Sequence, residues 1–177
     1  VWKLIEKLFN FLNIIYNLLI KKYIYFSNLR LYIRLHMCGF IITNQNIKIT
    51  DYKNTLKHRG PDQTGSYEHG EIKIIFNRLA IIDLSKKANQ PFIYKNFIII
   101  FNGEIYNYLE LRKQLTDLGH KFVSNSDTEV LLKSYLQWKK GCLRKLEGMF
   151  SFCIYNKTNR TVFVARDRYG IKPLFYF

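Results

Sequence analysis

The chain has 177 residues, of which 48% are hydrophobic and 16% aromatic, enough for one domain with a substantial core and too apolar for a disordered chain. Its net charge of +15 raises the question of a nucleic-acid partner, but Lys and Arg are scattered and no nucleic-acid-binding signature occurs, so none is expected. Three cysteines, Cys38, Cys142 and Cys153, are too few for a disulfide framework, and neither they nor the four histidines have metal-ligand spacing, so no metal is expected and a reducing, cytoplasmic compartment is.

Residues 1–36 differ in texture from the remainder. They contain no Gly or Pro, and six Lys and Arg against the single acid Glu6. Glu6, Asn10, Asn13, Asn17 and Lys21 recur at helical spacing, opposite Leu4, Leu8, Phe11, Leu12, Ile15, Leu18 and Leu19. The stretch is too short and too interrupted for a transmembrane span, and no small-residue cleavage site follows Lys22. An amphipathic leader lying on a membrane surface is one reading. The favoured one is a reading frame extended upstream of Met37, the first Met in the chain, which leaves residues 1–36 outside the mature protein.

Met37-Cys38-Gly39 then opens an apolar run. A free Cys is ordinarily a small buried hydrophobe. If Met37 is the initiator and is removed, Cys38 instead becomes a nucleophile with its own α-amine as base. Gly39–Thr43 reads as a strand, Asp51–Lys57 as weakly helical, and His58-Arg59-Gly60-Pro61-Asp62 as a loop that Gly65 continues. Ile72–Phe76 and Leu79–Ile82 are strand-like runs broken at Asn77-Arg78, and Ala88–Pro91 is a turn. Phe97–Phe101 is a strand buried on both faces.

Asn107 is a candidate N-cap for a helix carrying Leu111, Leu115 and Leu118 and stopped by Gly119. Ser126 and Glu129 have capping-box spacing at the head of a second helix with Val130, Leu131, Tyr135 and Trp138 on its apolar face. Met149–Tyr155 and Thr161–Arg166 are strands joined by a polar turn. Strand pairs flanking two central helices predict an α+β layered domain.

Met37-Cys38-Gly39, His58–Asp62, Arg78-Leu79-Ala80-Ile81-Ile82-Asp83, Phe101–Asn107, Ser126–Glu129, Gly148–Phe152 and Arg166–Leu174 occur in this order. Together they resemble the glutaminase domain of glutamine-hydrolysing asparagine synthetase, a class II amidotransferase of the N-terminal-nucleophile hydrolase superfamily. The resemblance spans 37–177. It implies a four-layer αββα sandwich and hydrolysis of L-glutamine to glutamate and ammonia through a glutamyl thioester. It implies no cofactor for this domain. ATP and magnesium are expected only of a synthetase domain, the expected partner, which makes asparagine from aspartate. No Ser-Gly-Gly-x-Asp-Ser loop for that chemistry occurs here, so the chain is expected to be a fragment, truncated at its C-terminal end. A homodimer is compatible with this reading.

Hydrolysing a carboxamide needs a nucleophile, a base, an oxyanion hole and a clamp on the amino-acid end. Cys38 and its prospective α-amine, titrating at roughly pH 7.7–8.0, supply the first two. Asn102 and Gly103, at the end of a buried strand, are suited to receive an oxyanion. Arg78 has a planar fork for the substrate α-carboxylate. By resemblance, Leu79, Ile81 and Ile82 line the same pocket, Asp127 holds the α-ammonium and Glu104 assists. Arg166–Leu174 is assigned no catalysis, His58–Asp62 is a loop near the pocket, and Cys142 and Cys153 are structural. The stretch from Cys38 to His58 is short for the family, so its first helix is expected to be curtailed. The alternative from a different class is an inactive glutaminase-like domain tethered to a membrane surface by residues 1–36.

Overall fold

The computed structural model describes residues 37–176, and the expected amphipathic helix of the first 36 residues lies outside them. Side-chain alternation builds the layers. Strands β1 (Gly39–Thr43), β2 (Gln63–His69) and β3 (Ile72–Arg78) form an antiparallel sheet in the order β1-β3-β2. Strands β4 (Phe92–Tyr94), β5 (Phe97–Ile105), β6 (Gly148–Asn156) and β7 (Thr161–Arg166) form a second, in chain order.

Strand β5 is apolar on both faces because it is covered on both. Ile98 and Ile100 meet Ile74, Phe76, Cys153 and Tyr155 between the two sheets. Ile99, Phe101 and Ile105 pack on the opposite side with Leu111 and Leu115 of α2 (Tyr108–Asp117) and Val130, Leu131 and Leu132 of α3 (Asp127–Trp138). Among the described residues, the outer face of the three-stranded sheet bears only α1 (Ile49–Tyr52), and Asn77 donates to the Lys53 carbonyl just beyond it at 3.2 Å. The result is the expected α+β sandwich, whose fourth layer is one helical turn among the described residues.

Several boundaries differ from those predicted. β3 runs straight through Asn77 and Arg78, since both backbones pair with neighbouring strands: Asn77 faces Gly39 and Thr64, and Arg78 faces Gln63. Leu79–Ile82 is consequently irregular chain following the strand. Gln63–His69, where Gly65 is expected to continue the loop, is an edge strand whose alternately exposed positions explain its polar composition. Gly65 fits there because a Cβ would fall 2.0 Å from the Gln90 carbonyl oxygen.

Asn107 occupies the N-cap position of α2 but caps nothing. Its amide donates to Lys145 O at 2.8 Å, and its oxygen accepts from Glu147 N at 3.1 Å. Ser126 does cap α3, accepting from Glu129 N at 3.3 Å. Glu129 does not return the bond. Its buried carboxylate accepts from Val123 and Ser124 and pairs with Lys133 at 3.2 Å. Among the described residues no helix is long and apolar enough to cross a membrane.

Candidate active site

Pairing register decides where Cys38 lies. Gly39 faces Asn77 in the antiparallel β1–β3 ladder, so the residue before Gly39 meets the chain leaving Asn77. There the Leu79 N–H donates to the Cys38 sulfur at 3.3 Å, and the thiol points back to the Leu79 carbonyl at 3.6 Å. From the loop predicted to lie near the pocket, Arg59 Nε donates to the Cys38 carbonyl at 3.3 Å. Burial, the largest influence, raises the thiol above its ordinary pKa. The Leu79 hydrogen bond and the positive charges of Arg78 and Lys172 oppose that shift, and Asp127 adds to it. The thiol therefore needs a base close at hand to become a nucleophile.

Arg78 ends β3 and is buried, with its guanidinium directed onto the loop that follows. Nη1 donates to Asn89 Oδ1 at 3.0 Å and to Ser85 O at 3.4 Å, and Nη2 donates to the Asp83 carbonyl. The Asp83 carboxylate accepts from Ser85 N at 2.8 Å and from Asn125 N at 2.7 Å, tying the Arg78 loop to the entry of α3. Burial works against ionisation of Asp83, but these hydrogen bonds, with Arg78 beyond them, hold its carboxyl below the usual range. Among the described residues, Arg78 Nε and one Nη2 hydrogen take no hydrogen-bond partner.

Asn102 continues the inter-sheet face of β5 beyond Ile98 and Ile100, and is itself buried. It sits opposite Ser151, and Gly103 sits opposite Phe150. Gly103 is needed for space: a Cβ there would lie 2.2 Å from the Met149 carbonyl oxygen. Glu104 lies one step further along the Asn102 face. Burial raises its carboxyl, and the Lys172 charge moderates the rise.

Asp127, the first residue of α3, accepts the Ile105 N–H at 3.1 Å. Burial pushes its carboxyl up to about 7 despite that hydrogen bond, and the negative charge of Glu104 adds to the effect. Leu79 and Ile82 are half-buried and Ile81 is exposed, so of these three Leu79 alone is fixed on Cys38 by a hydrogen bond. Cys142 and Cys153 lie buried without disulfides, their thiols pushed up to about 11 and about 12 by burial.

Arg78 and Asp127 thus each come within electrostatic reach of Cys38, and Asn102 and Glu104 share one face of β5. Sequence reasoning misses three participants. Asp83 closes the Arg78–Asp83 motif, which was a signal of its importance. Arg59 stands in the loop set beside the pocket. Lys172 stands in a motif assigned no chemistry, yet its ammonium lies beside Met37 and Cys38.

A model of the family described as glutamine amidotransferase domain matches residues 37–177. Glutamine-hydrolysing asparagine synthetase 1 of Bacillus subtilis is 42% identical over 152 residues, covering 79% of this chain and 24% of that protein. Its namesake from Lotus japonicus is 36% identical over 140 residues, covering 78% of this chain and 23% of that one. The solved glutamine phosphoribosylpyrophosphate amidotransferase of B. subtilis, complexed with ADP and GMP, superposes with a TM-score of 0.50. It is 29% identical, and the match covers 59% of this chain and 25% of that one. The chain spans about a quarter of the length of the curated relatives it matches.

Proposed function

The chain belongs to the glutamine amidotransferase domain family, and from that premise we propose that it hydrolyses L-glutamine with Cys38 as nucleophile and the Cys38 α-amine as base. The observation that carries the reading is the grouping of Cys38, held by Leu79, with Arg78 and Asp127. A half-buried thiol flanked by a guanidinium and a carboxylate suits a zwitterionic amino acid. Arg78 binds its α-carboxylate through the uncommitted part of the fork. Asp127 takes its α-ammonium, and that opposite charge brings the raised carboxyl back into its ionised form. Glu104 assists, and Leu79, Ile81 and Ile82 wall the side chain.

The thiol proton passes to the α-amine as sulfur forms a bond to the carboxamide carbon. The side-chain amide of Asn102 and the Gly103 N–H receive the developing oxyanion, and one such donor is worth ~10²–10³ in rate. The ammonium then protonates the leaving nitrogen, the C–N bond breaks and ammonia departs, leaving a γ-glutamyl thioester. Water, deprotonated by the same amine, adds to the thioester. The C–S bond breaks, glutamate leaves and the thiol is restored. The amine performs both proton transfers, so the reading requires Cys38 to be the first residue of the active protein. We further propose that the ammonia serves asparagine synthesis, the activity named for the relatives, through a synthetase domain acting with this one.

Ammonia and glutamate release from glutamine tests the reading. A protein beginning at Cys38 is expected to release both in equal amounts, and its Cys38→Ala variant neither. Equal release by the two would remove Cys38 from the chemistry.

A further inference from the structure

The turn after β7 is built around one side chain. The Asp167 carboxylate accepts the backbone N–H groups of Phe150 at 3.2 Å, Tyr169 at 3.2 Å, Ile171 at 2.8 Å and Lys172 at 3.0 Å. Burial opposes its charge, but these bonds hold the carboxyl below the usual range. Arg166 closes the turn from the other side, donating from Nε to the Lys172 carbonyl at 2.6 Å and from Nη2 to Gly170 O. Lys172 is therefore pinned at both its N–H and its C=O.

This anchoring brings a cation inward. Lys172 is only 6% exposed, unusual for a residue type that is almost never buried without a partner. Its Nζ lies 3.0 Å from the Met37 sulfur, on the residue bonded to Cys38. The charged and titratable groups facing Lys172 are Cys38, Glu104 and Asp167, which favour its ammonium, and Arg59, which disfavours it. Those facing Cys38 are Arg78, Asp127 and Lys172, with Arg59 hydrogen-bonded to its carbonyl at 3.3 Å. Service as a counter-ion to Glu104 alone would not require the ammonium to reach Met37.

We infer that Lys172 is a positioning residue of the amidotransferase reaction, delivered by the Arg166–Lys172 turn, whose ammonium favours the Cys38 thiolate and the uncharged Cys38 α-amine. A positive charge stabilises a neighbouring thiolate and disfavours protonation of a neighbouring amine. Both effects act in one direction, keeping the pair reactive to lower pH. With Met37 in place its sulfur stands against Nζ; its removal leaves the ammonium facing the end of the chain at Cys38. The inference rests on the reading of Cys38 as the nucleophile.

The test is the pH dependence of Cys38 alkylation by iodoacetamide in the full chain, followed by mass on the Cys38 peptide so that the buried Cys142 and Cys153 do not interfere. Lys172→Met is expected to move the midpoint up by on the order of one pH unit, and Lys172→Arg, which keeps the charge, to leave it in place. An unmoved midpoint in Lys172→Met, or the same displacement in Lys172→Arg, overturns the inference. The assay needs no turnover, so inactivity toward glutamine of a protein beginning at Cys38 would refute the proposed function while the alkylation midpoints still decide the role of Lys172.

Discussion

Asp127 carries its carboxylate buried at the expense of the fold. Its carboxyl sits at about 7, above the ordinary value of ~3.9, so in the folded protein it binds protons more readily than when unfolded. For a raised carboxylate, the cost of ionisation is absent below the unfolded pKa and fully present above the folded one. Asp127→Asn, which keeps an oxygen for the Ile105 N–H, is therefore expected to be more stable than the parent at about pH 8. That advantage should fade as pH falls toward about 4, as read by urea midpoints. The same variant is expected to raise the KM for glutamine. No difference in stability at the higher pH would show that the carboxylate is not strained by burial. Arg78 and Asp127, which the fold brings within electrostatic reach of Cys38, could be singled out because each sits in a distinctive short motif. Lys172 was not: a lysine beside a proline in a polar turn reads as a solvated charge, and only the Asp167 and Arg166 bonds turn it inward.

Among the secondary-structure elements, the proposed site depends on how closely β5 and β6 approach beside Asn102 and Gly103, the proposed oxyanion donors. A Cβ on Gly103 would press against the Met149 carbonyl and the Phe150 Cα, at 2.2 and 2.7 Å, so the ladder must part. Gly103→Ala is expected to lose about 1–3 kcal/mol or more, seen as a lower thermal midpoint, together with glutaminase activity. Gly141→Ala, where a Cβ meets nothing within 4 Å, is the control and should be nearly neutral. Equal midpoints for the two variants would contradict the close-approach argument. The elements themselves were unevenly legible. The two long helices and strands β5, β6 and β7 announced themselves through periodicity and apolar runs. β2 did not, because an edge strand exposed at alternate positions carries the same polar residues as a loop. The break expected at Asn77-Arg78 is absent because a hydrogen-bonded partner permits burial: Asn77 donates to Thr64 Oγ1 at 2.9 Å and to Lys53 O.

For the fold as a whole, residue patterns alone predict layers of sheet and helix. The face-to-face arrangement of two sheets comes from the family resemblance, and the alternation along β5 shows why it must be so. A strand with Ile98 and Ile100 on one side and Ile99 and Phe101 on the other needs a cover on each. The short α1 takes up one turn of the stretch between β1 and the His58 loop, and residues 53–59 after it run in turns. The same arrangement brings the end of β3 to Cys38, the residue that precedes β1 and the proposed nucleophile.

The proposed chemistry stands or falls on that free amine, and a rate comparison probes it. Ammonia release from glutamine is measured for a protein whose first residue is Cys38 and for the 177-residue chain, with intact mass verifying each N-terminus. The expected outcome is turnover by the first and a rate lower by roughly 10²–10⁴ in the second, the usual contribution of a positioned general base. Equal rates from the two proteins, with Val1 still present on the longer one, would show that the Cys38 amine is not the base.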